Sequence, residues 1–580
     1  MILTRVDWAV IVLYFAVSVA IALYYSKRAG ASSSEFFLSG RKMPWWLAGT
    51  SMVATTFAAD TPLAVTGLTV KHGIAGNWLW WSFAMSGMLT VVFYARLWRR
   101  AGVMTDAEFA ELRYAGRPAA FLRGFRACYL ALAVNSIIIG WVTAAMAKII
   151  GLTLGVGKWQ ATVGLFMLTG LYSTLSGLWG VVVTDFFQFA LAMAGCIALA
   201  WFALGAVGGM SGLLAALHAR FPDDAPLQMV PSLDSAWMPA LTFFAYLAVN
   251  WWASWYPGAE PGGGGYVAQR IFATKDERHA LLAALWFNIA HYALRPWPWI
   301  VVALVSMVLY PGLADPESGY VRVMVDHLPP FWRGFLLAAF FAAYMSTIST
   351  QLNWGAAYLV NDVYRRFWVR DRAAAHYVGA GRVATLLMMG ISGVVTMYIG
   401  TVEGAWKFLL AIGAGTGLVY LLRWYWWRVN AWSEVSAMAA ALVFSLAGQW
   451  GFGLSAEDPR GFAWLLLGTT GATTVVWLAV TWLTPPEPLA TLRGFAVRVR
   501  PGGPGWRAVA PEIPDGRGLG AGLVVWALGC VVVYLGLFGI GDLVLGRPLR
   551  GAVALAVALA LTWHVVRATR VPAGAGSRVV

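Results

Sequence analysis

Residues 45–73 read WWLAGTSMVATTFAADTPLAVTGLTVKHG, and their reading decides the fold. The stretch is long enough and apolar enough to enter a bilayer. Its middle nevertheless holds Thr55, Thr56, Asp60, Thr61 and Thr66, with Pro62 two residues after the carboxylate. Proline removes a backbone hydrogen bond and clashes with the preceding turn of a helix. Unwound backbone at membrane depth is tolerated only where it is buried in protein or lines a cavity. The carbonyls freed near Ala54 and Phe57 are therefore expected to face a protein interior. Residues 243–270, FFAYLAVNWWASWYPGAEPGGGGYVAQR, pose the same problem more severely. Pro257, Pro261 and five glycines between 258 and 265 exclude a regular helix, and Glu260 sits inside the interruption. The glycine run is not a phosphate loop, because no strand precedes it and no Gly-Lys-Ser/Thr ending follows. Two interrupted apolar segments in matching positions of two halves are the sequence mark of a transporter's binding site.

The rest of the chain fits a membrane protein. Of 580 residues, 60% are hydrophobic and 12% charged, about half the charge of an ordinary soluble domain. The apolar blocks are continuous rather than alternating, which selects spanning helices over a barrel. About fifteen candidate spans lie between residues 7 and 567. The first block follows MILTRVD, lacks a small-residue cleavage pattern and is read as a membrane helix rather than a removed signal. Residues 209–237 form a long outer connection with an amphipathic helix at 213–220. Residues 485–517, rich in Pro, Gly and Arg, are expected to be a flexible or surface-lying inner connection.

Charge placement gives the orientation. With the N-terminus outside, alternate loops place 29 of the 41 Lys and Arg residues on the cytoplasmic side. The net charge of +15 is thus an insertion signal rather than a nucleic-acid footprint. The expected location is the plasma (inner) membrane, with the C-terminus cytoplasmic. The three cysteines, Cys128, Cys196 and Cys530, have no metal-ligand spacing. No HExxH or GxSxG motif occurs, the seven histidines are scattered, and no stretch suits a soluble catalytic domain, so an enzyme is not expected.

Several motifs in order carry a family resemblance. Ser33-Ser34-Glu35-Phe36-Phe37-Leu38-Ser39-Gly40-Arg41 is followed by Pro44-Trp45-Trp46. Thr105-Asp106-Ala107-Glu108-Phe109 precedes Arg113-Tyr114. Tyr172-Ser173-Thr174-Leu175-Ser176-Gly177-Leu178-Trp179 leads to Thr184-Asp185-Phe186-Phe187-Gln188. Ala342-Ala343-Tyr344-Met345-Ser346-Thr347-Ile348-Ser349-Thr350 leads to Asn353 and Asn361-Asp362-Val363-Tyr364. Together these resemble the signatures of the sodium:solute symporter family over roughly residues 1–450. The resemblance implies an all-α, leucine-transporter-like fold. Two inverted five-helix repeats, 43–208 and 238–430, would follow an extra N-terminal helix and signature in 1–42. About four more helices would come after them, as a pair in 431–484, the linker 485–517, and a last pair with the tail in 518–580.

The resemblance also implies a site. The family's sodium position falls on the carbonyls of Ala54, Phe57 and Ala343 and the hydroxyls of Ser346 and Thr347. An all-oxygen set suits a hard cation. Asp185 falls near a second ion position or the exit route. Asn250 matches a pocket asparagine and His291 falls near a pocket position, while the inserted WYPGAEPGGGG departs from the sugar carriers; Thr56, Asp60, Thr61, Trp80, Trp251, Trp255, Glu260 and Arg295 are the further solute candidates. Tryptophans flanking the second break offer aromatic faces to a sugar or a cation. Intramembrane charges are functional candidates, and Arg295 is expected to pair with Asp60 or Glu260. The expected activity is sodium-coupled symport of a small polar organic solute, sugar-like, amino acid or organic acid, by alternating access. Proton coupling through Asp60 or Asp185, and a non-transporting sensor of the same fold, are the alternatives.

Overall fold

The computed structural model describes residues 3–29, 39–175, 178–253, 261–513 and 518–569. Within them the only extended pairing is an isolated bridge between Met43 and Thr274. The rest is helix and short connection. In chain order the helices are α1 (Arg5–Ala29), α2 (Trp45–Thr55), α3 (Asp60–His72), α4 (Ala84–Ala101) and α5 (Gly116–Leu154). Next come α6 (Lys158–Leu175), α7 (Leu178–Ala206), α8 (Gly209–Arg220), α9 (Ala240–Ala248) and α10 (Gly265–Ala273). Then follow α11 (Glu277–Leu309), α12 (Trp332–Trp368), α13 (Ala374–Tyr398), α14 (Val402–Tyr425), α15 (Ala431–Gly451) and α16 (Pro459–Leu483). The last are α17 (Leu489–Val499), α18 (Leu519–Val544) and α19 (Pro548–Ala568).

Among the described residues ten helices are long and apolar enough to cross a membrane, or eleven if one bent pair counts as a span. This is fewer than the fifteen expected. One reason is that the expected spans 43–69 and 238–272 are each split into short halves, α2 with α3 and α9 with α10. Pro62 explains where the first split falls. It occupies the first turn of α3, the one place in a helix where its missing N–H costs nothing.

Burial sorts the helices. From Leu47 to Thr55 in α2 and from Asp60 to Thr69 in α3 every residue is buried, and α12 is buried over most of its length. In contrast α13 shows Val383, Leu386, Leu387 and Val394 outward, and α19 shows Leu549, Val553, Leu559 and Trp563. Such rows of exposed aliphatic residues belong against lipid. A dense interior of threaded helices, α2, α3 and α12, is thus wrapped by lipid-facing ones.

Two connections matter for the interior. The start of α12 is capped from α1: the backbone N–H groups of Phe331 and Gly334 donate to Asp7 Oδ1 at 3.0 and 2.8 Å. The linker 485–513 is not a loose connection. Leu492, Phe495, Ala496 and Val499 recur at helical spacing along one face of α17 and are buried. Trp506 follows, stacks on Phe495 and donates to Trp424 O at 2.7 Å. The segment is a packed lid over the end of α4 and the short helix Phe109–Arg113.

Candidate ion and solute site

At the first break, α2 ends at Thr55 and α3 begins at Asp60. The hydroxyl of Thr347, on α12, donates across to Thr55 O at 2.8 Å. One residue earlier, Ala54 O accepts from Phe57 N at 3.0 Å. Ser346 donates to Asp185 Oδ1 of α7, and Ser51 donates to Asp185 Oδ2 at 2.6 Å. Neither Ser346 nor Thr347 bonds back to its own helix, whereas Ser349 does so, onto Ser346 O. Ala343 lies one turn before Thr347 on the same helix and is buried. The end of α2 thus meets the Thr347 hydroxyl directly, while Ser51, one turn earlier on α2, shares Asp185 with Ser346. Asp185 belongs to this same cluster through Ser346.

A cation is already nearby. Arg270 of α10 donates from Nε to Ser51 Oγ at 3.2 Å and from Nη2 to Thr350 Oγ1 at 3.0 Å, and stands 3.8 Å from Asp185. All of these side chains are buried. A carboxylate beside a guanidinium and two neutral hydroxyls gives oxygen ligands with little net charge, a setting in which a small monovalent cation can exchange for hydrogen-bond donors.

On the other side of the first break lies a second polar knot. Thr56 Oγ1 donates to Val53 O at 2.7 Å. Its lone pairs face Arg295 Nη1 at 3.0 Å and His291 Nδ1 at 2.9 Å. A hydroxyl has one proton and two lone pairs, so Nδ1 of His291 carries its proton and Nε2 is the acceptor that faces Arg295 Nη2 at 3.4 Å. Arg295 also reaches Val53 O at 3.3 Å and lies 5.3 Å over the ring of Trp299. Its charge thus sits at the carbonyl end of α2, where a helix dipole favours a cation. Of the two partners expected for Arg295, Asp60 is not within ion-pairing distance and Glu260 lies outside the described residues. Asp60 Oδ2 accepts from Trp141 Nε1 at 3.0 Å and its Oδ1 from Thr61 at 3.4 Å, because α5 presents the indole on the side where α3 starts. Thr61 also donates to Thr56 O at 3.2 Å.

The second break begins after α9. Trp255 and Glu260, both named as solute positions, lie outside the described residues. Asn250 donates to Leu79 O and Ser82 Oγ at 3.1 and 3.0 Å, while its Oδ1 is buried without a partner among the described residues. Trp80 stacks on Tyr292 at 5.8 Å and meets His291 edge-on at 5.6 Å, which joins the Asn250 side to the His291 knot. Trp251 points elsewhere: it donates to Leu247 O and lies 5.9 Å from Trp526 of α18. Beyond the break, Gly262 and Gly263 have φ of 85° and 90°. A methyl group at either would meet Tyr94 or Thr90 at 3.0 Å, so glycine is required twice over. The start of α10 is held by Asp106, whose carboxylate accepts from Gly265 N at 2.9 Å and from the hydroxyl of Tyr358.

Sequence reasoning named neither Ser51, Trp141 and Arg270 nor the capping role of Asp106. Arg270 alone left a signal, as a charge near the end of an apolar run. The others are ordinary residues until the fold supplies a partner 81 to 159 positions away.

Comparisons with known proteins agree with this architecture. The model of the sodium:solute symporter family matches residues 36–443. A sodium/glucose cotransporter of Vibrio parahaemolyticus is 23% identical over 473 residues, covering 77% of this chain and 85% of that protein. Sodium/glucose cotransporter 1 of Oryctolagus cuniculus is 26% identical over 480 residues, covering 73% and 69%. A solved Na+-coupled sialic acid symporter superposes with a TM-score of 0.67 at 18% identity, over 84% of this chain and 99% of the other. With its broken helices, buried hydroxyl pair and matched length, this multi-pass chain belongs to the sodium:solute symporter family, and its activity is sodium-coupled symport of a small solute.

Proposed function

We propose that sodium binds where α2 ends, on the carbonyls of Ala54, Phe57 and Ala343 and the hydroxyls of Ser346 and Thr347, with Asp185, bonded to Ser346, beside it as a second ion position or exit group. The observation that carries this reading is the bond from Thr347 to Thr55 O. It brings a hydroxyl of α12 against the unwinding end of α2, so a cation entering there joins the two helices by replacing a proton donor. Asp185 and Arg270 form a compensated pair, so sodium adds one net charge and couples to the membrane potential, worth about 2.3 kcal/mol per charge per 100 mV.

The solute seat follows from the same geometry. Among the described residues Asn250 Oδ1 lacks a donor, Asp60 accepts from Trp141, and Trp80 meets His291 edge-on. A buried acceptor without a donor favours a ligand that carries hydroxyl or N–H groups. A small polar organic solute rich in hydroxyls, of the kind named for the cotransporter relatives, fits best. Thr56, Thr61, His291 and Arg295 hold the walls in place, Trp251 lies to the side against Trp526, and Trp255 and Glu260 stay solute candidates on the sequence alone. Sodium bound at α2 would fix that wall before the solute arrives, and a rocking of the core helices would then open the inner side. The N-terminus is placed outside and the C-terminus in the cytoplasm of the plasma membrane by the charge bias.

The test is uptake into proteoliposomes from a library of sugars, amino acids and organic acids, with a sodium gradient, a pH gradient or neither. Accumulation of a hydroxylated solute only with the sodium gradient is expected. Accumulation driven by the pH gradient alone would transfer the ion role to a proton on Asp60 or Asp185.

A further inference from the structure

A cavity of about 420 Å³ opens on the arginine-rich face, away from the ion and solute site. Its wall comes from three places: Arg41 just ahead of α2, Arg123 on α5, and Arg365, Arg366 and Arg370 at the end of α12 and the turn after it. Glu108 and Asp371 are the acidic residues in the lining. Five guanidinium groups therefore share a space with two carboxylates.

The arginines divide into two kinds. Arg123 and Arg366 are committed, Arg123 to Glu111 and Asp362 at 2.7 Å each and Arg366 to Glu111 at 2.7 Å. The other three have no carboxylate within ion-pairing distance among the described residues. Arg41 donates to the backbone carbonyls of Gly102 and Val103. Arg370 donates to Arg366 O, and Arg365 lies 5.1 Å over the ring of Tyr377. An amide adds to them: Asn361 Nδ2, of a residue that also lines the cavity, is buried without a hydrogen-bond partner among the described residues.

The backbone is strained at the same place. Arg41 and Asp371 have φ of 56° and 57°, a region that non-glycine residues avoid. Local strain of this kind persists where the surroundings hold it, often at ligand sites. Burial, and then the neighbouring charges of Arg99 and Arg498, hold Arg41 below the ordinary arginine range, against the pull of Glu108. An anion arriving in the cavity would relieve that crowding.

We propose that this cavity is a binding site for a phosphate-bearing anion, held by Arg41, Arg365, Arg370 and the amide of Asn361. Guanidinium groups match phosphate oxygens in pairs, with charge-assisted bonds about twice as strong as neutral ones. The rim favours a phospholipid headgroup as the source. Phe367 and Trp368 are exposed beside the arginines, as are Phe121 and Phe125 on α5, and exposed aromatic residues mark the membrane–water interface. An occupant joins Arg41, at the foot of α2, to the foot of α12. It therefore bridges the two helices that meet at Thr55 and Thr347. The binding claim does not depend on the sodium assignment.

The experiment uses the purified full-length protein, stripped of lipid in a neutral detergent. Thermal unfolding is followed during titration with short-chain phosphatidylglycerol, short-chain phosphatidylcholine and inorganic phosphate, since a ligand of the folded state raises the midpoint with concentration. Phosphatidylglycerol is expected to raise the midpoint and phosphatidylcholine to do so far less. A comparable rise with inorganic phosphate also supports the site and names a free anion as its source. The exposed pair Arg365→Gln/Arg370→Gln should weaken the apparent affinity about a hundredfold, and Asn361→Ala about tenfold. Arg278→Gln, exposed elsewhere on the same face, should leave it unchanged. No rise with either anion, or an undiminished rise in the Arg365/Arg370 variant, would overturn the proposal.

Discussion

The first break is short and held by side chains that arrive from other helices, while the described end of the second, residues 261–265, is shaped by glycines packed on α4 and anchored by Trp98 and Asp106. From Thr55 to Asp60 the chain is pinned by Thr347 from α12 at Thr55, by Arg295 and His291 from α11 at Thr56 and by Trp141 from α5 at Asp60. After α9 the chain is bent by glycines at positive φ that lie flat against Tyr94 and Thr90. One is a polar junction, and the described end of the other adds a steric demand for glycine to its polar anchors. The contrast teaches that unwinding a membrane helix has two solutions, partners for the freed backbone or removal of the side chains that would obstruct it. Arg270 joins them: it rides on α10, beyond the second break, but its guanidinium serves Ser51 and Asp185 at the first.

The sharpest way to separate the two is Arg270→Ala. If the first break depends on it, Asp185 is left as an uncompensated buried charge, and stability falls by about 3–5 kcal/mol. Thermal unfolding of the variant against wild type measures this. A loss no larger than that of a surface arginine would mean the breaks are independent. Next in size is Ser346→Ala with Thr347→Ala. Each hydroxyl lost from the cation should weaken sodium binding about tenfold, so the pair costs about a hundredfold. Sodium titrations of uptake at fixed solute check it, and an unchanged sodium dependence would remove both residues from the ion site.

The second break answers to a smaller change. Gly263→Ala places a methyl 3.0 Å from Thr90 on a backbone at φ 90°. A cost of roughly 1–2 kcal/mol is expected, visible as a lowered unfolding midpoint while the sodium affinity is kept. A shift in sodium affinity instead would show that the steric junction reports to the polar one. The smallest effect lies outside both. Burial works to raise the carboxyl of Glu111, but bonds from Arg366 and Arg123 win and hold it below the ordinary glutamate range. A group with a lowered native value stabilises the fold above its unfolded value, about 4.3 for glutamate, and that contribution fades as pH falls through the native value. Glu111→Gln should therefore narrow the gap in unfolding midpoint between neutral and acidic buffer. An identical pH profile for variant and wild type would mean that the pairs contribute nothing measurable.

Much of this was legible from residues alone. Continuous apolar blocks fix helices, and Pro62 and the run after Pro261 mark both breaks, because proline and glycine act locally and need no partner to be read. The hydroxyl pair at 346 and 347 could be placed through ordered motifs. What stayed hidden depends on distant meetings. Trp141 looks like one more tryptophan among 33 until α5 carries it to Asp60. Asp106 sits in a motif, but its task, capping α10, follows only when Gly265 is brought to it. That Asp60 turns to Trp141 rather than Arg295 was hidden for the same reason: opposite charges in two helices do not fix which face each presents, and Glu260, the other expected partner, lies outside the described residues. The linker at 485–517 misled by composition. Its prolines and glycines announce loops, while the spacing of Leu492, Phe495, Ala496 and Val499 announces a buried helical face, and the spacing prevailed.

The cap that Asp7 supplies to α12 has a practical side. Gly334 lies twelve residues before Ser346 on a continuous helix, a rod of about 18 Å. A tag, fusion or trimming that disturbs the opening residues would loosen the top of that rod and shift its lower hydroxyls. An altered appetite for salt in such a preparation would then report on handling at the N-terminus rather than on the transporter itself.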